Sequence, residues 1–370
     1  MSTRRAIISV TNDLTTDQRV DRTCKTLAEN GYEVMLVGRW RRNSKPLSPR
    51  DYRTMRMQLL FEKGPLFYAE YNIRLFLFLL GSKADLFLSN DLDTLPATWL
   101  AAMLRRKTHV HDCHEYFRGV PELVGRKKTL AIWKWIEDRI FPKLKKVMAV
   151  NRSVADLYTR EYGNPIRVVR NVPFRKQLTG ARNKADLGIP EGRRVILYQG
   201  AVNVDRGLEE AMLAMEHVKS DAVLLILGTG DIFTALEKMV VDRSLPGKVM
   251  LTGAIPLEHL HAYTLLGDIG LSIEKDVCIN YFYALPNKFM DYIQAGVPVL
   301  VSPFPEMKSI VEKYEIGEFL ESHDPEILAK QIDRMLADPS KLSLFRQHLA
   351  KAAQDLCWEN EAQTLINLVP

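Results

Sequence analysis

Asn287, Lys288 and Asp291 fall close together after Pro286, at the head of the run PNKFMDYIQAGVPVLV. The spacing predicts a helix that a proline enters without cost, because a first-turn N–H has no partner inside the helix. Its mouth offers N–H groups and an ammonium to an anion, and a carboxylate one turn deeper to hydroxyls. Phosphate beside sugar hydroxyl is the chemistry of a nucleotide's diphosphate and ribose. The ordinary alternative is a helix-to-strand connection with solvated charges, so the surrounding elements have to decide.

Those residues sit in a strand, loop, helix, strand unit over 271–301. Leu271 and Ile273 open a strand, and Tyr281, Phe282 and Tyr283 make an aromatic loop. Phe289, Met290 and Ile293 share the helix's apolar face, Gly296 takes the C′ position, Pro298 bars continuation, and 299–301 form the next buried strand. Upstream, strands are expected over 6–10, 33–37, 85–88, 109–112, 146–150 and 167–170. Helices are expected over 17–30 and about 96–106, with a long one carrying Trp133, Trp135 and Ile136. A polar stretch over 175–184 reads as a hinge. Beyond it, strands over 194–198, 222–227 and 249–252 alternate with helices over 208–218 and 259–265, and helices follow around 307–313, 325–336 and 342–356. Such alternation is the pattern of parallel-sheet α/β domains, in which ligands bind at the carboxyl ends of strands. In the final segment, Trp358, Leu365, Ile366 and Leu368 give an apolar stripe that must be buried somewhere.

A chain of 370 residues exceeds one core, so two domains of about 170 residues each are expected. The 46% hydrophobic and 26% charged content suits a soluble globular protein. No stretch approaches the roughly 18 apolar residues of a membrane span, and Arg4 and Arg5 precede only a short apolar run, as in the first strand of a cytoplasmic protein. Cys24, Cys113, Cys278 and Cys357 are too scattered for a metal or redox motif. The net charge of +6 favours an acidic partner. Basic clusters at 39–42, 105–107, 126–128 and 143–146 all lie in the first half. The segment 61–80, with Phe67, Tyr68, Tyr71, Phe76 and Phe78, keeps open peripheral association with an anionic membrane at its inner face. No RNA-binding signature or zinc spacing is present, so nucleic acid is not an expected partner.

The runs YQGAVNVDRGLEEAM, GTGD, LTGAIP and PNKFMDYIQAGVPVLV occur in the order and at spacings similar to those of GT-B glycosyltransferases, in particular the retaining family 4 group. TTDQRVDRTCKTLAENGYEV, NDLDTLPATWLA, HDCHEYF and NVP resemble that family's amino-terminal domain, so the likeness covers nearly the whole chain. It implies two doubly wound, Rossmann-like α/β domains facing across a cleft: an acceptor domain over 1–175 and a nucleotide-sugar donor domain over 185–345, with 346–370 crossing back to the first domain as C-terminal helices.

The resemblance also implies roles. Arg206, beside Gly207 after the turn at Gly200, would contact the donor diphosphate. The family's second basic position there is Ala201, which leaves Lys288 to supply the second cation. The family's paired glutamates fall on Tyr283 and Asp291: Asp291 keeps a carboxylate for the ribose, while Glu274 or Asp276 is the nearby carboxylate for the lost one. Asn287, Gly200, Gly228 and Gly230 would approach the nucleotide, and His114 would line the donor sugar. Asn12, Thr15 and Thr16 stand where the family often has a glycine-rich loop, and no glycine occurs there. Asp91 and Asp93 spell the D-x-D that a different glycosyltransferase class uses for manganese. Placed between a strand and a helix, Asp93 reads instead as a helix cap, and no metal is expected.

The expected function is therefore metal-independent, retaining transfer of a sugar from a nucleoside diphosphate sugar, with no further cofactor, to an unknown glycan or lipid-linked acceptor hydroxyl in cell-envelope glycan or polysaccharide synthesis. A GT-B-like sugar-nucleotide epimerase and a non-catalytic nucleotide-sugar-binding protein are the alternatives. A nicotinamide dehydrogenase is disfavoured, because no G-x-G-x-x-G follows the first strand.

Overall fold

The computed structural model describes residues 3–120, 123 and 125–369. The chain divides into two compact units, Met1–Asn171 with Trp358–Pro370, and Val172–Cys357. The first runs β1 (Arg4–Ser9), α1 (Gln18–Glu29), β2 (Tyr32–Arg39), β3 (Arg53–Met57), α2 (Gly64–Gly81), β4 (Leu86–Asn90), α3 (Asp91–Arg105), β5 (Thr108–Cys113), α4 (Lys127–Ile140), β6 (Val147–Ala149), α5 (Arg152–Tyr162) and β7 (Ile166–Val168). The second runs β8 (Arg194–Gln199), α6 (Leu208–His217), β9 (Ala222–Leu227), α7 (Phe233–Asp242), β10 (Val249–Gly253), α8 (Leu257–Thr264), β11 (Ile269–Ser272), α9 (Ile279–Phe282), α10 (Asn287–Gln294), β12 (Val299–Val301), α11 (Pro305–Tyr314), β13 (Gly317–Phe319), α12 (Pro325–Leu336) and α13 (Pro339–Asp355). A last helix, α14 (Trp358–Ile366), belongs to the first unit.

Among the described residues the first unit holds a seven-stranded sheet in the order β3-β2-β1-β4-β5-β6-β7 and the second a six-stranded sheet in the order β10-β9-β8-β11-β12-β13. The strand pairs are parallel. A parallel sheet is covered on both faces, so neighbouring residues of a strand enter different cores. In β1, Ala6 and Ile8 join Val20, Cys24 and Leu27 of α1, whereas Ile7 joins Phe67, Tyr71 and Leu75 of α2 and Ala101 of α3. Each sheet reverses its strand order once, between β1 and β4 and between β8 and β11. Such switch points open a crevice at the carboxyl ends of the strands.

Three expectations are corrected. The helix placed from about residue 96 begins at Asp91, with Pro96 inside it. Asn72 of α2 mends the interruption: its Nδ2 donates to Asp93 O at 2.8 Å and its Oδ1 accepts from the Ala97 N–H at 3.2 Å, the two groups that a regular rung would join. Asp93 is thus not a cap. The N-cap is Asn90, and the Asp93 carboxylate accepts from Thr11 Oγ1 instead. The aromatics of 61–80 turn inward on α2, with Phe67 and Tyr71 fully in the core and Tyr68, Phe76 and Phe78 packed against it; the outward stripe is aliphatic, Leu66, Ile73 and Leu77.

The return to the first unit begins at Trp358, while α13 stays with the second unit, although residues from 346 onward are expected to cross. Trp358 is buried in the β1–α1 core, where its Nε1 donates to Thr26 Oγ1 at 2.8 Å. Glu361 accepts from Arg170 N and Nε at 2.9 and 2.6 Å. The stripe on α14 is therefore an integral part of the first core.

Candidate functional site

The second unit gathers Arg206, Glu274 and Lys288 at its switch point, from the segments that follow β8 and β11. Lys288 sits in the first turn of α10, with Pro286 as N-cap and Asn287 exposed beside it. Its ammonium is not free, as the helix mouth alone suggests. Only 7% of the side chain is exposed, and Nζ lies 2.6 Å from Glu274 Oε1, 3.3 Å from the Tyr198 hydroxyl and 4.3 Å from the centre of the Tyr198 ring. Arg206 NH1 lies 3.8 Å from the same Glu274 oxygen, and its guanidinium stacks 4.2 Å over Tyr281. Its Nε is buried and, among the described residues, has no hydrogen-bond partner. Burial alone would raise the Glu274 carboxyl, but Lys288 beside it outweighs that and holds it below the usual range. Two cations thus share one carboxylate, and the cluster keeps a surplus positive charge.

Of the two upstream acids weighed for the lost glutamate, Asp276 is exposed and Glu274 is the one that reaches the cations. Tyr283 follows α9, with its ring 5.1 Å from Phe282. Asp291 accepts from Lys176 Nζ at 3.2 Å and from Gln199 Nε2 at 3.1 Å, and Gln199 is oriented by Thr264, whose Oγ1 donates to Gln199 Oε1 at 2.7 Å. Its side chain is 17% exposed, so the carboxylate is aimed by two donors and still reachable.

The glycines have close protein neighbours. A Cβ on Gly228, at φ 140°, would stand 1.9 Å from Gly200 O, and one on Gly230 would stand 2.2 Å from Asn203 Oδ1 and 2.3 Å from Val202 O. The loops after β8 and β9 press backbone on backbone, which only glycine allows. Gly228 and Gly230 therefore let the loop that carries Gly200 and Arg206 pack closely against the turn after β9.

In the first unit, His114 follows β5 and faces acceptors on both ring nitrogens. Nε2 lies 2.9 Å from Asn90 Oδ1 and 3.2 Å from Asp112 Oδ2, Nδ1 lies 3.6 Å from Asp91 Oδ2, and its backbone N–H donates to Asp91 Oδ1 at 2.9 Å. Burial pushes the imidazole down, but Asp91 and Asp112 outweigh it and raise its pKa to about 9, so the ring is an imidazolium at neutral pH. Asp112 is fully buried against Arg19, which grips it through two N–H bonds at 2.6 and 2.9 Å; burial opposes its charge, but Arg19 and His114 hold it well below the carboxylate range. Asp93, buried beside Asp91, is raised to about 7.

The loop after β1 satisfies itself. Asn12 Nδ2 donates to Asp17 at 2.8 Å and its Oδ1 accepts from Leu14 N at 2.9 Å, while Thr15 donates its N–H and hydroxyl to Asp13 at 3.2 and 2.5 Å. Thr16 is exposed. Leu14, with φ 68°, and Asp91, with φ 55°, hold left-handed backbone that a non-glycine residue adopts only under tertiary constraint. Lys176, Gln199, Tyr198, Asp112 and Arg19 had no role assigned from sequence. Arg19 and Asp112 lie inside family-like runs, whereas nothing local marks Lys176, 115 positions before Asp291.

Two family models match the chain, Glycosyltransferase Family 4 over residues 17–172 and Glycosyl transferases group 1 over 181–355. The putative colanic acid biosynthesis glycosyl transferase WcaI of Escherichia coli is 26% identical over 193 residues, 50% of this chain and 45% of that protein. The chain thus spans about half the length of the first curated relatives it matches. Sucrose-phosphate synthase from Thermosynechococcus elongatus superposes with a TM-score of 0.78 at 19% identity, covering 99% of this chain and 98% of that one. Anabaena Alr3699/HepE in complex with UDP gives 0.75 at 11% identity, covering 98% of each chain. At those identities the structural likeness speaks for the fold, and the two family models, which between them span every strand of the two sheets but β1, speak for lineage. The chain belongs to the group 1 glycosyl transferases and has the GT-B fold.

Proposed function

We propose that the protein moves a sugar from a nucleoside diphosphate sugar to an acceptor hydroxyl with retention of configuration and without metal. The observation that carries this reading is the convergence of Arg206 and Lys288 on a single carboxylate at the mouth of α10. The surplus charge, the partnerless Arg206 Nε and the first-turn N–H groups of α10 suit a diphosphate on which charge develops as the sugar leaves. Fixed cations and N–H groups stabilise that charge where a metal does so elsewhere. Retention follows from front-face attack, in which the leaving phosphate oxygen takes the acceptor's proton, so no protein base is required. Asp291, aimed by Lys176 and Gln199, accepts the ribose hydroxyls. Solved structures of the similar Anabaena protein hold UDP and UDP-glucose, which supports a nucleotide-sugar donor. The likeness to the Escherichia coli colanic acid biosynthesis glycosyl transferase supports polysaccharide synthesis.

A thermal-shift panel of UDP, GDP, ADP and TDP sugars identifies the donor, since a ligand at 100 times its dissociation constant stabilises by about 2.7 kcal/mol. Turnover with that donor in excess EDTA, and the anomeric configuration of the product by NMR, then test the mechanism. A manganese requirement, or an inverted product, would sink it. Nucleotide release independent of any acceptor would favour the epimerase reading.

For the acceptor, a second reading has its own observation. Leu66, Ile73 and Leu77 on α2 and Ile132 and Trp135 on α4 are exposed, among Arg74, Lys127, Lys128 and Arg139. A recess of about 610 Å³ at the amino ends of β5 and β6 is lined by Arg106, Lys107, Lys143, Lys145 and Lys146 and by no carboxylate among its described lining residues. No helix among the described residues is long and apolar enough to cross a membrane. Peripheral docking on anionic lipid, with a lipid-linked acceptor, fits this surface. Sedimentation with anionic vesicles should be strong at low salt and weaken toward physiological salt, where the screening length is about 8 Å. No sedimentation at low salt leaves a soluble acceptor.

A further inference from the structure

We propose that Glu274 is the positioning residue of the diphosphate site: it keeps the buried Lys288 ammonium charged and fixed in place beside Arg206 while the site is empty. The inference rests on the diphosphate reading of that pair. Glu274 cannot touch a ligand itself, because the residue is fully buried and its oxygens are occupied. Oε1 takes Lys288 Nζ, Oε2 takes Ser272 Oγ at 3.0 Å, and its backbone carbonyl takes Ser302 Oγ at 2.6 Å. The preceding carbonyl, Ile273 O, is held by His323 Nε2 at 2.9 Å. Side chains from the ends of β11 and β12 and from the segment before α12 therefore fix this carboxylate.

The charge state of Lys288 depends on few groups. From the β8 segment it faces Tyr198, whose ring and hydroxyl lie beneath it, and Gly200, where a Cβ would stand 3.6 Å from Lys288 Cε. From the loop after β8 it meets Arg206, and from β11 it meets Glu274. On α10 itself the next titratable group is Asp291, which is engaged by Lys176 and Gln199. Burial disfavours an ammonium, and the guanidinium of Arg206 repels it. Glu274, with a smaller contribution from Tyr198, outweighs both, and Lys288 is held above the ordinary lysine value. Without the carboxylate, burial and the guanidinium of Arg206 would both favour loss of the Lys288 proton, which would then have to be recovered each time a diphosphate binds.

The test follows the affinity for UDP and, as a base-independent probe, for inorganic pyrophosphate from pH 7 to 9.5 in the wild type and in Glu274→Gln, Glu274→Asp and Glu274→Gln/Lys288→Arg. The ratio of variant to wild-type affinity cancels the ionisation of the probe. For Glu274→Gln that ratio is expected to fall at least tenfold across the range. Glu274→Asp should recover most of it. In the double variant the ratio should be flat, because an arginine stays charged. The Lys288 ε-carbon, followed by NMR in ¹³C-lysine protein, should titrate at lower pH in Glu274→Gln than in the wild type. A flat ratio for Glu274→Gln, or an unmoved Lys288 titration, overturns the inference. If Glu274→Gln does not fold, Glu274→Met, uncharged and similar in volume, carries the same comparison. Failure of the diphosphate reading has its own signature: Lys288→Met and Arg206→Ala would both bind UDP and pyrophosphate as the wild type does.

Discussion

The two units each place a charged cluster at the switch point of a parallel sheet, but the clusters balance differently. In the first, Arg19 and the His114 imidazolium answer Asp112 and Asp91, and each cation is held by carboxylates at short range. In the second, Glu274 is the carboxylate that both Arg206 and Lys288 answer among the described residues. Burial differs as well. The Arg19 and Asp112 side chains are 3% and 0% exposed, whereas Arg206 is 22% exposed and its Nε has no hydrogen-bond partner among the described residues. A balanced buried pair is part of the fold. A surplus charge with an open face suits the anion site proposed above.

That contrast can be broken most forcefully at Arg19. Arg19→Ala leaves the Asp112 charge buried without its partner, and breaking such a pair typically costs about 3–5 kcal/mol, enough to depress the melting temperature by many degrees. Arg206→Ala should do the reverse, leaving the melt near that of the wild type while turnover falls at least tenfold and toward the roughly 10²-fold loss of a transition-state donor. Equal melting losses in the two variants would erase the distinction between the clusters. Lys288→Ala is a hybrid, losing both turnover and stability, because Glu274 is left buried and charged.

A weaker effect is expected from pH. The His114 pKa is raised in the folded state, so its stabilisation is complete below the ordinary value of about 6.5 and is lost as pH rises through about 9. At its largest this is on the order of 3 kcal/mol. Denaturant unfolding from pH 6 to 9.5 should show a decline that His114→Gln flattens, and an unchanged slope in that variant would remove His114 from the balance. The smallest effect is expected at Asp93. Its carboxyl is raised to about 7, so near and below that pH it resembles an amide, and Asp93→Asn should cost well under 1 kcal/mol and little turnover. Loss of activity in Asp93→Asn at pH 6.5, restored by manganese, would instead return the D-x-D residues to metal chemistry.

The central strands of both sheets were legible because strands buried on both faces are nearly continuous apolar runs. The edge strands were not: β3 reads Arg-Thr-Met-Arg-Met and β13 is three residues long, so neither shows a buried face. α3 was misplaced because Pro96 reads as a helix start wherever the side chain that mends it, Asn72, lies on another element. In the site, Arg206, Lys288 and Asp291 could be chosen from local motifs. That Lys288 is neutralised by Glu274 rather than by Asp276 depends on burial, which spacing does not report. The partners of Asp291, Lys176 and Gln199, come from distant positions and carry no motif.

The Asn72 amide has an evolutionary consequence. Because it bridges Asp93 O and the Ala97 N–H, the rung next to the one that Pro96 abolishes with its missing N–H, the two residues form one heritable unit. Asn72→Leu in the presence of Pro96 strands a donor and an acceptor next to the Thr11–Asp93 contact, whereas in a Pro96→Ala background the regular rung can re-form and the same change should be nearly silent. Descendants of this chain should therefore lose the proline before the asparagine, or both together.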